Sequence, residues 1–72
     1  MSKLELLAVV ALLRDSPQHG LVRGQVGTVV ELLSSAVAEV EFSDDEGRTY
    51  ATAALPAEEL IRLHHQPFDQ VA

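Results

Sequence analysis

The stretch Ala36-Val37-Ala38-Glu39-Val40-Glu41-Phe42-Ser43 decides the fold of this chain. Its residues divide into two alternating sets, an apolar one at 36, 38, 40 and 42 and a largely charged one at 37, 39, 41 and 43. Successive side chains of a strand point to opposite faces, so this alternation predicts a half-buried antiparallel strand. Phe42 is predicted to point into the core.

The residues on either side of this strand predict two further strands. Asp44 to Gly47 has turn composition, with Gly47 available for a positive φ, and Arg48 to Ala53 is predicted to return as the second strand of a hairpin with Tyr50 as its large side chain. Upstream, Gly24 to Leu33 is rich in β-branched residues and predicts a strand that ends at Ser34-Ser35. Gly24 is expected to take a positive φ at the entry to that strand. Gly27 is expected to permit a bulge or a close backbone approach.

The ends of the chain predict two more strands. Periodicity alone does not separate a strand from a helix in the first apolar run, but Val9-Val10 and the short span favour a strand over Ala8 to Leu13. A long loop follows, from Asp15 to Gly24. Pro56 and the acids after it predict one short helical or 3-10 turn, and Leu60 to Leu63 a last strand.

The predicted fold class is therefore all-β, a small five-stranded SH3-like barrel with one short helical or 3-10 turn before the last strand. We expect a single domain over residues 1–65 and a C-terminal tail over residues 66–72 that is frayed or used in a contact. A chain of 72 residues is long enough for one such domain. The lack of cysteine excludes disulfides, thiol catalysis and Cys-ligated zinc. No signal peptide and no apolar run of about 20 residues is seen, so we expect no membrane contact and a cytoplasmic location.

The charge distribution predicts the kind of partner. The formal net charge is −6, the five basic residues are scattered, and five acids fall between positions 39 and 46. Binding to nucleic acids depends on clustered Lys and Arg, so the sequence speaks against DNA and disfavours RNA. An acidic surface attracts basic proteins, although a merely solubilising surface is the alternative. The candidate partner-binding residues are Glu39, Glu41, Asp44, Asp45 and Glu46.

The first strand is apolar on both faces, which a barrel interior does not explain. Leu6, Val10 and Leu12 are therefore predicted to form an interface between copies of the chain in a homo-oligomer. The alternative is that the C-terminal segment covers the second face through Leu63 and Phe68.

Several groups of residues contain the residue types of a catalytic or metal-binding site but lack the spacing that such a site requires. Asp15, Ser16 and His19 are the residue types of a hydrolytic triad, but we expect a polar turn in which Asp15 or Ser16 accepts bonds from nearby backbone N–H groups. Adjacent His64 and His65 would point to opposite faces of a strand, which leaves only a metal site shared across a dimer. The Asp44 to Gly47 turn lacks the EF-hand spacing. We expect no catalytic residues, no metal and no cofactor.

Two resemblances support this fold. Gly24 to Val30, followed by Ala38 to Phe42, looks like the glycine-turn-strand segment of SH3-like and KOW-type barrels. More closely, the runs Val9 to Asp15, His19 to Leu21, Arg23 to Val30, Glu39 to Phe42 and Leu55-Pro56 resemble an uncharacterised family of short bacterial proteins, a domain of unknown function, over about residues 4–64. The resemblance implies the barrel and a bacterial source, and it carries over no catalytic residues. Members usually have an acidic residue where this chain has Ala8, which would make that position face solvent or a partner.

Together these observations predict a non-enzymatic, protein-binding module of the kind found among antitoxins, immunity proteins and subunits of larger complexes. The alternative is a KOW-like module that binds structured RNA or ribosomal components.

Overall fold

The computed structural model describes residues 4–64, which form five antiparallel strands in one sheet. The strands are β1 (Val9–Leu12), β2 (Val26–Leu32), β3 (Val37–Ser43), β4 (Thr49–Pro56) and β5 (Leu60–Arg62). Their order across the sheet is β4-β3-β2-β1-β5. A 3-10 helix, Ala57–Glu59, precedes β5 as predicted, and another, Pro17–His19, lies in the predicted long loop. The all-β prediction is confirmed, while the tail predicted over residues 66–72 lies outside the described residues.

One face of the sheet forms the hydrophobic core. Phe42 is fully buried, as the alternation in β3 predicts, and Ala38 and Val40 lie on the same face. Ala36, predicted to belong to this set, is exposed because it precedes β3 at the end of the sheet, where its carbonyl accepts the N–H of Ala57. The remaining buried apolar residues come from the other strands, from the first loop and from the position just before β1: Ala8, Val10, Leu12, Leu21, Val29, Ala53, Leu55 and Leu60.

The inward face of β1 contradicts part of the interface prediction. Val10 is 0% exposed and Leu12 is 2% exposed, so neither can contact another protein chain. Leu12 lies opposite the buried Leu60 on β5, which fixes this set of side chains on the core face. Ala8, predicted to face solvent or a partner, is buried with them. Leu6 alone of the three predicted interface residues is exposed.

The strands β2 and β3 approach closely at Gly27, as predicted. Gly27 lies opposite Phe42, and a Cβ atom on Gly27 would stand 2.6 Å from Cγ1 of Val40 and 2.9 Å from the carbonyl oxygen of Glu41. Real Cβ atoms are not found at such distances, so only glycine fits without a shift of β3. Gly24 and Gly47 take positive φ angles of 92° and 83° at their turns, which confirms both predictions.

A β-bulge lies at Val30, three residues beyond the position the sequence suggests. The register passes from Val29 opposite Val40 to Glu31 opposite Glu39, so β2 has one extra residue there. In an unbroken strand Glu31 would share the inward face of Gly27 and Val29. The bulge shifts the alternation by one residue and turns Glu31 outward together with Val30.

A strained turn leads into β1. The N–H of Ala8 donates to the carbonyl of Glu5 at 3.1 Å, which closes a turn over Leu6 and Leu7. Leu7 has a φ of 69°, a conformation that costs a non-glycine residue energy. Both leucines are exposed, Leu7 at 74%. The strain is held in place by the N–H of Leu7, which donates to the carbonyl of Val29 at 2.7 Å.

Candidate partner-binding surface

The outer face of the sheet, opposite the core, carries an apolar strip on β5, β1 and β2. Ala11 lies at its centre, with Ile61 as its cross-strand partner on one side and Val26 on the other. Val9 and Val30 extend the strip along β1 and β2. Ile61, Val26 and Val30 are each between 40% and 48% exposed, a large fraction for such side chains. The first segment is therefore apolar on both faces, but its outward-facing residues in β1 are Val9 and Ala11.

An acidic row lies beside the strip on β2 and β3, formed by Glu31, Glu39 and Glu41. Glu31 and Glu39 are direct cross-strand partners, and Glu41 follows Glu39 on the same face. Within residues 4–64 the only salt bridge joins Arg62 and Glu5, at 3.7 Å, so no described Lys or Arg forms a salt bridge with the row. Two of the predicted partner-binding residues thus share one face with a third acid, Glu31, that the sequence did not single out.

Asp44, Asp45 and Glu46 lie apart from the acidic row, in the turn between β3 and β4. Oδ1 of Asp44 accepts the backbone N–H of Glu46 at 2.8 Å and that of Arg48 at 2.9 Å. This carboxylate builds the turn, as Asp side chains do in tight turns. Asp45 and Glu46 are exposed, and among residues 4–64 neither carboxylate accepts a hydrogen bond or forms a salt bridge.

The loop residues Asp15, Ser16 and His19 form a structured turn. A hydrogen bond of 2.8 Å joins Oγ of Ser16 to Nδ1 of His19. Asp15 is not hydrogen-bonded to either of these side chains, and its Oδ1 accepts the N–H of Arg23 at 2.9 Å. The expected side-chain bond to backbone is confirmed for Asp15. Ser16 is 7% exposed and its backbone pairs with Leu21, an arrangement typical of a loop that is fixed in shape.

Metal-ligating side chains do not gather in the described part of the chain. No group of three or more His, Asp or Glu side chains suited to a metal ion occurs within residues 4–64. His64 follows β5 and is exposed. His65 lies outside the described residues.

An apolar groove of about 500 Å³ opens at the end of the sheet where Ala36 lies. Oγ of Ser34 accepts the N–H groups of Ala36 and Val37 there, each at 3.1 Å, so it stabilises the turn between β2 and β3. Among the described residues, Glu58 is the only titratable one in the lining, which also includes Leu4, Leu32, Ser35, Ala38, Pro56 and Ala57. Such a lining is suited to apolar contact and has no nucleophile paired with a base.

Neither of the two 3-10 helices in residues 4–64 has the length that a membrane-spanning helix requires. Among known proteins, the chain matches a family model whose description assigns no function. No curated protein and no solved structure matches the chain. The family model described as Domain of unknown function (DUF4926) matches residues 6–62, which takes in all five strands and both 3-10 helices. The chain belongs to this DUF4926 family.

Proposed function

We propose that this chain is a non-enzymatic module that binds a basic protein on the outer face of its sheet. The observation that carries the proposal is the cross-strand pair Glu31 and Glu39, two acidic residues directly opposite each other that form no salt bridge with a described Lys or Arg. Like charges directly opposite each other destabilise a sheet. A Lys or Arg from a partner would remove that repulsion, so the free protein is poised to gain stability when a cation binds.

The apolar strip adds a second requirement for the partner. Thr28 separates the two regions, since it is the cross-strand partner of Val9 on one side and of Glu41 on the other. A partner that covers both regions needs aliphatic side chains over Val9, Ala11 and Val26 and basic ones over the glutamates. Apolar contact supplies most of the affinity in such an interface, and charge supplies specificity and speed of association.

The proposal also covers the barrel type, the source, the location and the oligomeric state of the chain. The strand order and the long connection between β1 and β2 support an SH3-like barrel. We propose a bacterial source, a cytoplasmic location, and a role like that of an antitoxin, an immunity protein or a complex subunit. Self-association through the exposed Leu6 and Leu7 is also proposed. Light scattering at micromolar concentration tests it, and a monomeric mass would contradict it.

The RNA-binding alternative has less support. A KOW-like module would use the β2 segment and its neighbours to approach phosphates, but Glu31 adds a negative charge to that segment. Affinity for RNA comes largely from cations that displace counterions from phosphate.

The test compares two charge-reversed variants with the unmodified chain in affinity capture from a lysate of the source organism. Glu39→Lys with Glu41→Lys reverses two charges of the acidic row. Glu58→Lys with Glu59→Lys makes the same change in net charge at the 3-10 helix before β5. Thermal unfolding checks that both variants are folded.

A basic protein should be recovered in stoichiometric amount with the unmodified chain and with the Glu58/Glu59 variant, and should be lost with the Glu39/Glu41 variant. Its association rate should fall as salt is raised. Equal capture by all three proteins would contradict the proposal, and enrichment of structured RNA instead would favour the alternative.

A further inference from the structure

The strand β4 forms an open edge of the sheet. Within residues 4–64 its only strand neighbour is β3. Hydrogen bonds alternate residue by residue along an antiparallel pair, and Ala57 donates its N–H to the carbonyl of Ala36 at 2.8 Å. By this alternation Leu55, Ala53 and Ala51 bond to β3. The N–H and C=O groups of Thr52 and Ala54 therefore point away from β3, toward the open side.

The middle of this edge, between a register shift at Tyr50 and Pro56 at the end of β4, lacks the features that usually protect an edge strand. Natural proteins block such edges with charged residues, proline or bulges, because unpaired backbone groups recruit other strands. The stretch from Thr49 to Leu55 has no charged residue and no proline. A register shift occurs at Tyr50, but Ala51 to Leu55 runs in unbroken register with β3 and ends at Pro56. Within the described part of the chain, this regular stretch leaves the outward N–H and C=O groups of Thr52 and Ala54 open to another strand.

The acidic row determines what kind of strand fits. Thr52 lies directly opposite Glu41, and Ala54 lies opposite Glu39, all on the outer face. Strands are spaced about 4.8 Å apart, so an added strand would lie roughly 10 Å from β3. Thr52 and Ala54 are short, so long side chains of an added strand can extend over them toward the two glutamates. Lys or Arg at alternate positions meets this requirement.

A second copy of the chain fits this edge poorly. Pairing of two β4 strands about a two-fold axis would place both acidic rows on one continuous sheet, and each chain has a formal net charge of −6. Two such surfaces repel each other. The occupant that the charges favour is a segment of a basic partner.

We propose that β4 is the docking edge for an extended segment of the basic partner, which adds to the sheet as an antiparallel strand. Its Lys or Arg side chains, at every second position, lie over Thr52 and Ala54 and reach Glu41 and Glu39. The proposal rests on the proposed function and specifies how the partner is recognised. Main-chain hydrogen bonds to β4 give affinity and the alternating cations give specificity.

The first experiment uses the peptide acetyl-Thr-Lys-Thr-Lys-Thr-Lys-Thr-amide and the full chain, with affinity measured by isothermal titration. In an antiparallel bonded pair both residues share a face, so the lysines of the peptide direct their N–H groups at β4. N-methylation of the lysine nitrogens should weaken binding by about tenfold or more, since several hydrogen bonds are lost. N-methylation of the inner threonines should leave affinity nearly unchanged. Equal affinity of the two methylated peptides would overturn strand addition, and so would failure of the unmethylated peptide to bind.

The second experiment changes the edge itself. Thr52→Pro removes one outward N–H without removing a bond to β3, whereas Thr52→Val keeps that N–H and serves as the control. We expect the Pro variant to bind the peptide several-fold more weakly than the Val variant. Equal binding by the two folded variants would overturn the docking edge. If capture of the partner is still lost in the Glu39/Glu41 variant, the proposed function stands and only the mode of recognition is wrong.

Discussion

Glu31 lies directly opposite Glu39 across β2 and β3, so two carboxylates share one cross-strand position on the outer face. This pair exists because of the bulge at Val30, which turns Glu31 away from the core. In the free protein these two like charges destabilise the sheet at the surface where we propose that a partner binds.

Replacing Glu31 should therefore stabilise the isolated chain. Glu31→Lys converts a like-charge pair into an opposite-charge pair, and we expect the free energy of unfolding to rise by about 0.5 to 1 kcal/mol in urea titrations at low salt. Added salt should reduce this gain in the free energy of unfolding, because it screens the interaction between exposed charges. Glu58→Lys makes the same change in net charge away from the acidic row, and an equal gain in that variant would contradict the specific role of the pair.

The neighbours Leu12 and Leu13 should respond differently to truncation. Leu12 is 2% exposed and Leu13 is 46% exposed. We expect Leu12→Ala to lower the free energy of unfolding by about 2 to 5 kcal/mol, enough to unfold much of a domain this small. Leu13→Ala should change it by less than about 1 kcal/mol. Circular dichroism during denaturation measures both losses, and similar losses would contradict the assignment of Leu12, and not Leu13, to the core.

A methyl group at Gly27 should be costly. The Cβ atom of Gly27→Ala would press on Cγ1 of Val40 and on the carbonyl of Glu41, so β2 and β3 must move apart. We expect a loss of about 1 to 3 kcal/mol in the free energy of unfolding. Val40→Ala removes the nearest of the atoms that the new Cβ would meet, so the double variant should lose less than the sum of the single ones. Full additivity would show that Val40 does not restrict this site.

The two aspartates of the β3–β4 turn should also differ. Asp44→Ala removes an acceptor shared by the N–H groups of Glu46 and Arg48, and we expect a loss of about 1 kcal/mol. Asp45→Ala changes the charge equally but removes no such bond, so its effect on thermal unfolding should be small. Equal effects would mean that charge, and not the turn, decides stability here.

The turn before β1 offers a stabilising substitution. Leu7 has a φ of 69°, which costs a leucine about 1 to 2 kcal/mol and costs a glycine almost nothing. Since glycine also adds freedom to the unfolded chain, Leu7→Gly should give a net gain of up to about 1 kcal/mol. Leu6→Gly, at a position without positive φ, should destabilise the protein. A loss in both variants would contradict the strain at Leu7.

The sequence predicts the fold well where side chains alternate clearly. Ala38, Val40 and Phe42 differ from Glu39 and Glu41 so sharply that only one face of β3 can be buried. Gly24 and Gly47 are similarly informative, since positive φ angles favour glycine. In β1 the apolar residues occupy both faces, so the alternation does not show which face is buried. Val10 and Leu12 are therefore predicted to form an interface, although they are core residues.

The surface is only partly predictable from the sequence. Glu39 and Glu41 are identified correctly as neighbours on the outer face, but Glu31 is missed because nothing in Val29-Val30-Glu31 indicates an extra residue. A bulge depends on the register that β2 shares with β3, which is a property of two strands and not of one. Asp44 is grouped with the surface acids because composition does not reveal which carboxylate a turn will use.

The pairing of β1 with β5 has a consequence for synthesis on the ribosome. Leu12 gains its partner Leu60 only when nearly all of the described chain has been made. Until then the hairpins of β2, β3 and β4 can form, but β1 lacks a neighbour on one side and part of the core lies open to water. Contacts between distant parts of a chain also form slowly. We expect the native fold to appear late, only after residue 62 has left the exit tunnel.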